Sequence, residues 1–447
     1  MSHHLDTLFE FLRFQSVSAD SAYTPQMLGC AEWLAGYFRK IGLSAEVHPT
    51  AGHPVVTARN EHRPDRRTVL IYGHYDVQPV DPLALWTRPP FEPAVEEGVI
   101  YARGSADNKG QIMAHILGVE ETLKAKGDLP VNLIFLVEGE EEIGSGHLGP
   151  FLEAHRESLQ PDVIAISDTG MISPDLPALT YGLRGILALE VRVKGPATDL
   201  HSGSYGGLAP NPATILARMI ASLHDDEFRI AIPGFYDRVL PLQEWEREEW
   251  AKLPDTDDEF RKVIRSRGLL GETGYTSLER LWARPTAEVN GIGGGYQGEG
   301  SKTVIPSEAF AKLTFRLVPN QSPREIDALV RQHLQNICPP EVELTLSDSH
   351  IGEPFMSDPQ SADGLAARRA VARTWECEPA LIRQGGSIPI LQTFQQVFGT
   401  DILLLGLAQP GCAAHAPNEN FLVKNFEEGI RLNQALLEEL AAVPAKS

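Results

Sequence analysis

The stretch VNLIFLVEGEEEIGSGH, residues 131–147, decides how the chain is read. Its first part is a nearly continuous apolar run, the pattern of a strand buried on both faces of a sheet. It then delivers four carboxylates within five residues, at Glu138, Glu140, Glu141 and Glu142. Like charges this close repel, and each resists leaving water. A buried strand that ends in such a cluster calls for positive charge opposite it.

Outward from this strand the same order repeats. PVVTARN and RTVLIYGHYDV read as strands, GQIMAHILGVEETLKAKG as a helix, GHLGPFLEAHRESL as another helix, and DVIAISD as a further strand. LDTLFEFLRF and PQMLGCAEWLAGYFRKIGL, near the start, are amphipathic helices. Alternating strands and helices predict an α/β fold, a mostly parallel sheet with helices on both faces. The order changes after YGLRGILALEVRVKG. A His/Gly/Pro-rich loop, ATDLHSGSYGGLAPNP, leads to a helix, a polar Trp-rich middle, the strand AFAKLTFRLVP, the helix PREIDALVRQHLQNI and the strand VELTLSD. The first order then resumes through ADGLAARRAVARTW, DILLLGLA and NFEEGIRLNQALLEEL. We therefore expect an α+β domain at 183–352 inserted into a domain made of 1–182 and 353–447. GIGGGYQGEG (residues 291–300) lacks the strand, helix and Lys-Ser/Thr of a phosphate loop and reads as a flexible lid loop.

Composition removes several function classes. The 447 residues are 42% hydrophobic and 22% charged, which suits a globular protein with a sizeable core. The formal net charge of −21 speaks against a nucleic-acid partner. No segment reaches the roughly 18 apolar residues of a membrane span. Cys30, Cys338, Cys377 and Cys412 form no CxxC pair. With MSHHLDTLFEFLRF lacking the layout of a secretion signal, the expected location is cytoplasmic.

In an open α/β sheet, ligands sit beyond the carboxyl ends of the strands. Those ends carry His74 and Asp76, Asp107, the glutamates after Val137, Asp168, and His415. Histidine, aspartate and glutamate without cysteine suit an open Zn, Mn or Co site better than a closed structural zinc. Two cations about 3.5–4 Å apart, sharing one carboxylate, would neutralise such a cluster. Cys412 beside His415 matches no thiol-protease signature.

Ten strings occur here in a recognisable order: GHYDVQP, RGSADNKGQ, EGEEEIGS, SDTG, YGLRG, DLHSGSYGG, SKTVIP, RLVPNQ, GGSIP and HAPNE. Together they resemble the aminoacylase/carboxypeptidase G superfamily of co-catalytic zinc peptidases, nearest its cytosolic nonspecific dipeptidase and carnosine dipeptidase branch. The resemblance implies a metal-dependent dipeptidase acting on dipeptides with a free C-terminus. An N-acyl-amino-acid deacylase or carboxypeptidase is the alternative. Two divalent ions per subunit are implied, Zn²⁺ first, with Mn²⁺ or Co²⁺ also suited. Asp107 would bridge them, His74 and Asp168 completing one and Glu142 and His415 the other. Asp76 would orient His74, and Glu141 would be the general base. A cis peptide after Asp107 is implied as well. Arg316 would bind the substrate carboxylate, and Thr303, His350 and Ser387 would make further substrate contacts. The inserted domain would serve as lid and dimer contact. His201 would reach into the partner's site of a homodimer and stabilise the oxyanion. Glu138 and Glu140 receive no role.

Overall fold

The computed structural model describes residues 3–254, 257–386, 388 and 390–444. The chain divides into two compact units. The first comprises 1–181, 357–382 and 389–447, and the second 182–356 with 383–388.

The first unit is built on a sheet running in the order Ser44–His48, Val55–Arg59, Asn132–Glu138, Thr68–His74, Val163–Gly170, Asp401–Ala408, Ala178–Leu183. Its centre is parallel: Thr68–His74 pairs in parallel with both Asn132–Glu138 and Val163–Gly170, and the latter with Asp401–Ala408. Its flanks are antiparallel. The sheet is thus mixed, where the sequence pattern suggested a mostly parallel one. The reason at one flank is chain length. Residues 49–54 are too few for a crossover, so Ser44–His48 and Val55–Arg59 close as an antiparallel pair.

Strand alternation shows how the faces are covered. The ring of Tyr72 meets Phe394, on the helix Ile390–Phe398, edge-on at 5.2 Å. The next residue, Gly73, points the other way, and a Cβ there would lie 2.9 Å from Ile112 on the helix Lys109–Lys126. Helices therefore pack on both faces. All seven residues of Asn132–Glu138 are buried, as the apolar run requires. Each large apolar side chain so buried contributes about 1.5–3 kcal/mol.

In the second unit an antiparallel sheet has the order Thr286–Gly294, Glu308–Leu317, Gly185–Lys194, Glu343–Leu346, with His350–Gly352 also on Gly185–Lys194. Burial alternates along Gly185–Lys194. One face, bearing Leu187, Leu189, Val191 and Val193, packs with residues of the helices Pro212–Ala221 and Pro323–Ile337. Asn211 caps the first of these, accepting from the Ala213 N–H at 3.0 Å, with Pro212 opening the helix. Gly291–Gly294, expected in a loop, instead continues a strand paired to Ala309–Lys312. Cross-strand hydrogen bonding overrides the low strand propensity of glycine there.

Candidate metal centre

Five strand ends and their loops converge in the first unit. The strand Thr68–His74 ends at His74, a fully buried residue. His74 Nδ1 lies 3.1 Å from the Asp76 carbonyl oxygen and 3.2 Å from Asp76 Oδ1. That fixes the ring and turns Nε2 toward Asp107 Oδ1 at 3.2 Å and Asp168 Oδ2 at 4.0 Å. Nε2 is buried and makes no hydrogen bond. His415 Nε2 approaches the other oxygen, Asp107 Oδ2, at 2.8 Å, and Glu142 Oε2 at 3.1 Å. Two donor triads result, His74–Asp107–Asp168 and Asp107–Glu142–His415, and Asp107 belongs to both.

The supporting contacts explain how the chain holds this geometry. Asp107 sits in a tight loop before the helix Lys109–Lys126, and the Asp107–Asn108 peptide is cis. Glu419, fully buried, accepts hydrogen bonds from the N–H groups of Gly104, Ala106 and Asp107 at 2.9, 2.9 and 3.0 Å, and from Arg103 Nη1 at 2.7 Å. One segment thus supplies His415 and anchors the Asp107 loop. Asn108 Nδ2 donates to Asp168 Oδ1 at 3.0 Å, and Gln78 Nε2 to Glu142 Oε2 at 2.8 Å. Asp76 Oδ2 accepts from the Glu142 N–H at 3.1 Å, so one carboxylate addresses both His74 and the glutamate turn.

The glutamate run separates into two pairs. Glu138 accepts from Tyr72 Oη at 2.6 Å and Ser145 Oγ at 2.8 Å. Glu140 accepts from the N–H of His53 at 3.1 Å and of His147 at 3.2 Å. Both are buried and face inward, where a charged run usually reads as a solvated face. Gly139 between them lies against Tyr75, whose Oη would be 2.4 Å from any Cβ, so only glycine lets the chain turn here. Glu141 and Glu142 follow in a short 3₁₀ turn, Glu141–Ile143.

Electrostatics mark the cluster as hungry for cations. Burial, reinforced by Asp107, pushes the Asp168 carboxyl up to about 7. Burial also holds Glu141 well above the carboxylate range, with Asp168, Glu142 and Asp107 adding to it against His74. Hydrogen bonds to Asp107 and Glu142 raise His415 to about 10. For His74, burial works downward, but Asp107 and Asp76 outweigh it and raise the imidazole well above its ordinary value. Asp107 itself is lowered, burial opposing and the two imidazoles prevailing. The imidazoles are drawn toward the cationic form by carboxylates that lack counter-charge. An orphaned buried Nε2, two triads of hard and borderline donors and a shared carboxylate fit two divalent ions, which would return both imidazoles to neutral ligands.

The remaining candidates lie in the second unit. Arg316 and His350 fall on one face of its sheet. Arg316 pairs with Ile186, and His350 with Ala188 two residues on. His201 and Thr303 lie together on a separate two-stranded ribbon, His201 Nε2 3.4 Å from Thr303 Oγ1. His201 Nδ1 accepts from the Gly203 N–H at 3.0 Å. Ser387 lies outside the described residues. Cys412 is half-buried, and burial pushes its thiol up, away from a reactive thiolate. Three supports escaped the sequence reading: Gln78, Asn108 and Glu419. Each stands within a motif string, GHYDVQP, RGSADNKGQ or HAPNE, and membership of the string was the only available signal, with no mark of the contact each makes.

The chain belongs to peptidase family M20/M25/M40, which it matches over residues 70–439. It is 32% identical over 444 residues to the Cys-Gly metallodipeptidase dug1 of Schizosaccharomyces pombe, covering 96% of this chain and 93% of that one. An M20 family metallo-carboxypeptidase from Sulfolobus solfataricus superposes with a TM-score of 0.84 at 35% identity, covering 99% of this chain and all of that one. Human carnosine dipeptidase 1 superposes with a TM-score of 0.79 at 31% identity, covering 98% of this chain and 96% of that one.

Proposed function

We propose that the protein is a metal-dependent dipeptidase hydrolysing dipeptides with a free C-terminal carboxylate. The observation that carries this is the divided use of Asp107, one oxygen toward His74 and the other toward His415. His74, Asp107 and Asp168 would hold one divalent ion, and Asp107, Glu142 and His415 the other. Such a pair supplies Lewis acidity toward the scissile carbonyl and lowers the pKa of a nearby water toward neutrality. Zinc suits the donors first, with manganese and cobalt as alternatives.

The chain's own residues do the rest. Asp76 orients His74. Glu141, whose proton affinity is raised by burial, takes a proton from the attacking water and delivers it to the amine nitrogen as the C–N bond breaks. Arg316 offers a planar fork to the terminal carboxylate. Thr303, His350 and Ser387 make further substrate contacts, and the second unit serves as lid. His201, exposed and with Nε2 turned away from its own loop contact, acts on the oxyanion of a partner subunit in a homodimer. Four cysteines outside any disulfide suit a cytoplasmic location, and no helix among the described residues is long and apolar enough to cross a membrane.

The likeness to a metallo-carboxypeptidase keeps a second reading in play, a carboxypeptidase or N-acyl-amino-acid deacylase using the same ions. Turnover of a dipeptide panel with N-acetylated and C-amidated controls, in Zn²⁺ and in Mn²⁺, separates them. A dipeptidase cleaves the free dipeptides fastest. Faster cleavage of the N-acetylated set selects the second reading, and equal cleavage of amides removes both. The shared site is tested by letting Glu141→Ala and His201→Ala dimers exchange subunits. About half the dimers become mixed and one of their two sites is whole, so roughly a quarter of the activity returns. No recovery after confirmed exchange confines His201 to its own chain.

A further inference from the structure

Glu138 opens the glutamate run, is 1% exposed, and belongs to neither donor triad. It ends the strand Asn132–Glu138, in register with His74 on the neighbouring strand Thr68–His74. Its backbone is fixed there, the Glu138 carbonyl accepting from the Tyr75 N–H at 2.8 Å. Its Oε1 accepts from two hydroxyls, Tyr72 Oη at 2.6 Å on that same neighbouring strand and Ser145 Oγ at 2.8 Å at the far end of the turn. Oε2 is buried with no partner, so both contacts of the carboxylate fall on one oxygen.

Ser145 supplies the other half of this closure. Its φ is +52°, a region that a Cβ disfavours and glycine enters freely. Gly144 and Gly146 flank it, yet a serine stands between them. What serine adds over glycine is the hydroxyl, and that hydroxyl is the one bonded to Glu138. A second bond, from the Ser145 N–H to the Glu140 carbonyl at 2.7 Å, closes the same turn on the backbone.

Glu141 and Glu142 lie inside the turn and are held unequally. Glu142 Oε2 has Gln78 at 2.8 Å and His415 at 3.1 Å, and the Glu142 N–H is bound by Asp76 at 3.1 Å. The Glu141 carboxylate has no hydrogen bond or ion pair among the described residues. Its placement therefore depends on the backbone of the turn, and the turn on its closure.

We propose that Glu138 and Ser145 are positioning residues which, by clasping the two ends of the turn 138–145, hold Glu141 in place for proton transfer. The inference rests on the reading of Glu141 as the general base. A misplacement of about 1 Å can cost about 100-fold in rate, so one hydroxyl at the neck of the turn acts on turnover beyond its own strength as a hydrogen bond.

The test is kcat, KM and metal content of Ser145→Ala, alone and in the Glu141→Gln background, on the metal-loaded protein with the dipeptide that the wild type cleaves fastest. Ser145→Ala should keep two ions per chain and lose about 10–100-fold in kcat, with KM within about 3-fold. In the Glu141→Gln background the same change should alter kcat by less than about 2-fold, because the group it positions is already gone. Glu138→Gln, whose carbonyl oxygen still accepts both hydroxyls, should keep more of the turnover than Glu138→Leu, which accepts neither. Should Ser145→Ala not fold, Ser145→Gly removes the same hydroxyl without strain at φ +52° and carries the same comparison. A serine variant that turns over like the wild type overturns the inference, as does one whose loss is just as large with Glu141→Gln in place. Loss of an ion overturns it too, because the clasp would then hold Glu142. In each of these cases Glu141→Gln alone still loses its turnover, and the base reading stands. A Glu141→Gln protein that keeps full turnover removes that reading, and this inference with it.

Discussion

Around Asp107 the first unit gathers the carboxylates of Asp76, Glu141, Glu142 and Asp168 with two imidazoles, while around Arg184 the second unit gathers three guanidiniums with one carboxylate. Elsewhere the same residue types are buried in closed pairs. Arg103 meets Glu419 at 2.7 Å, Arg67 meets Asp363 at 2.6 Å, and Arg284 meets Glu272 at 2.6 Å. The closed pairs hold loops and strands in place and leave little charge over. The two open clusters differ from them in holding too little internal counter-charge, and they differ from each other in sign. One calls for cations and the other for anions. Burial alone therefore does not mark a functional charge; burial without a partner does.

The largest expected effect lies inside the first cluster. Glu141→Gln should keep two ions per chain and lose about 10²–10⁴-fold in turnover, because only the proton carrier is gone. Glu142→Gln should lose one of the two ions. Metal analysis beside the assay separates them, and equal metal loss in both variants would show the base and ligand roles to be misassigned.

Much of this was legible in the sequence, and the illegible part has a physical pattern. The buried apolar runs marked the strands, and the strand ends brought His74, Asp76, Asp107, the glutamates, Asp168 and His415 to one edge, while the choice of Glu142 among the glutamates came from the resemblance. What stayed hidden depends on partners far along the chain. Glu138 and Glu140 look like surface charge until Tyr72, His53 and His147 supply donors. Glu419 gives no local sign that it will receive three N–H groups from a loop more than 300 residues earlier. Arg184 stands within YGLRG, but nothing in the string says that it is buried unpaired. Gly291–Gly294 has turn composition and becomes strand only because Glu308–Leu317 lies beside it.

A closed pair should fail differently from an open cluster. Glu419→Ala strands Arg103 and three N–H donors in the interior, which should cost about 3–5 kcal/mol of stability. The loss should be present in chelator-treated protein, measured by denaturant unfolding. A variant as stable as the parent without metal would place Glu419 among the ligand-dependent groups and blur the contrast.

His115 sharpens the contrast from the neutral side. It is fully buried between Ser167 Oγ at 2.7 Å and Asn433 Nδ2 at 3.0 Å, and burial lowers its pKa to about 4. A histidine with a depressed folded pKa adds stability that is complete above its unfolded pKa near 6.5 and lost as pH falls toward 4. Wild type should therefore lose about 3 kcal/mol more than His115→Gln between pH 7 and pH 4. Parallel stability curves would mean that the ring accepts a proton without cost, against the closed-site picture.

The smallest effect tests whether the second region discriminates charge from shape. Arg316 is half-buried on the strand Glu308–Leu317, opposite Ile186 on one side and Thr286 on the other, and it has no ion pair among the described residues. Arg316→Lys keeps the charge, the strand pairing and most of the buried stem, but replaces a planar fork with a point charge. If the fork holds a carboxylate through two parallel hydrogen bonds, losing one of them should lower kcat/KM on free dipeptides by about 30-fold, or roughly 2 kcal/mol. Dipeptide amides offer no carboxylate to either side chain, so their slow turnover should be the same in both proteins. The comparison therefore lies in the ratio of free to amidated substrate, and that ratio should fall by the same 30-fold. A lysine variant that slows both substrates equally would show that Arg316 supports the fold of its sheet. One that slows neither would show that this region reads charge alone, and the fork would then have no part in recognising the carboxyl end.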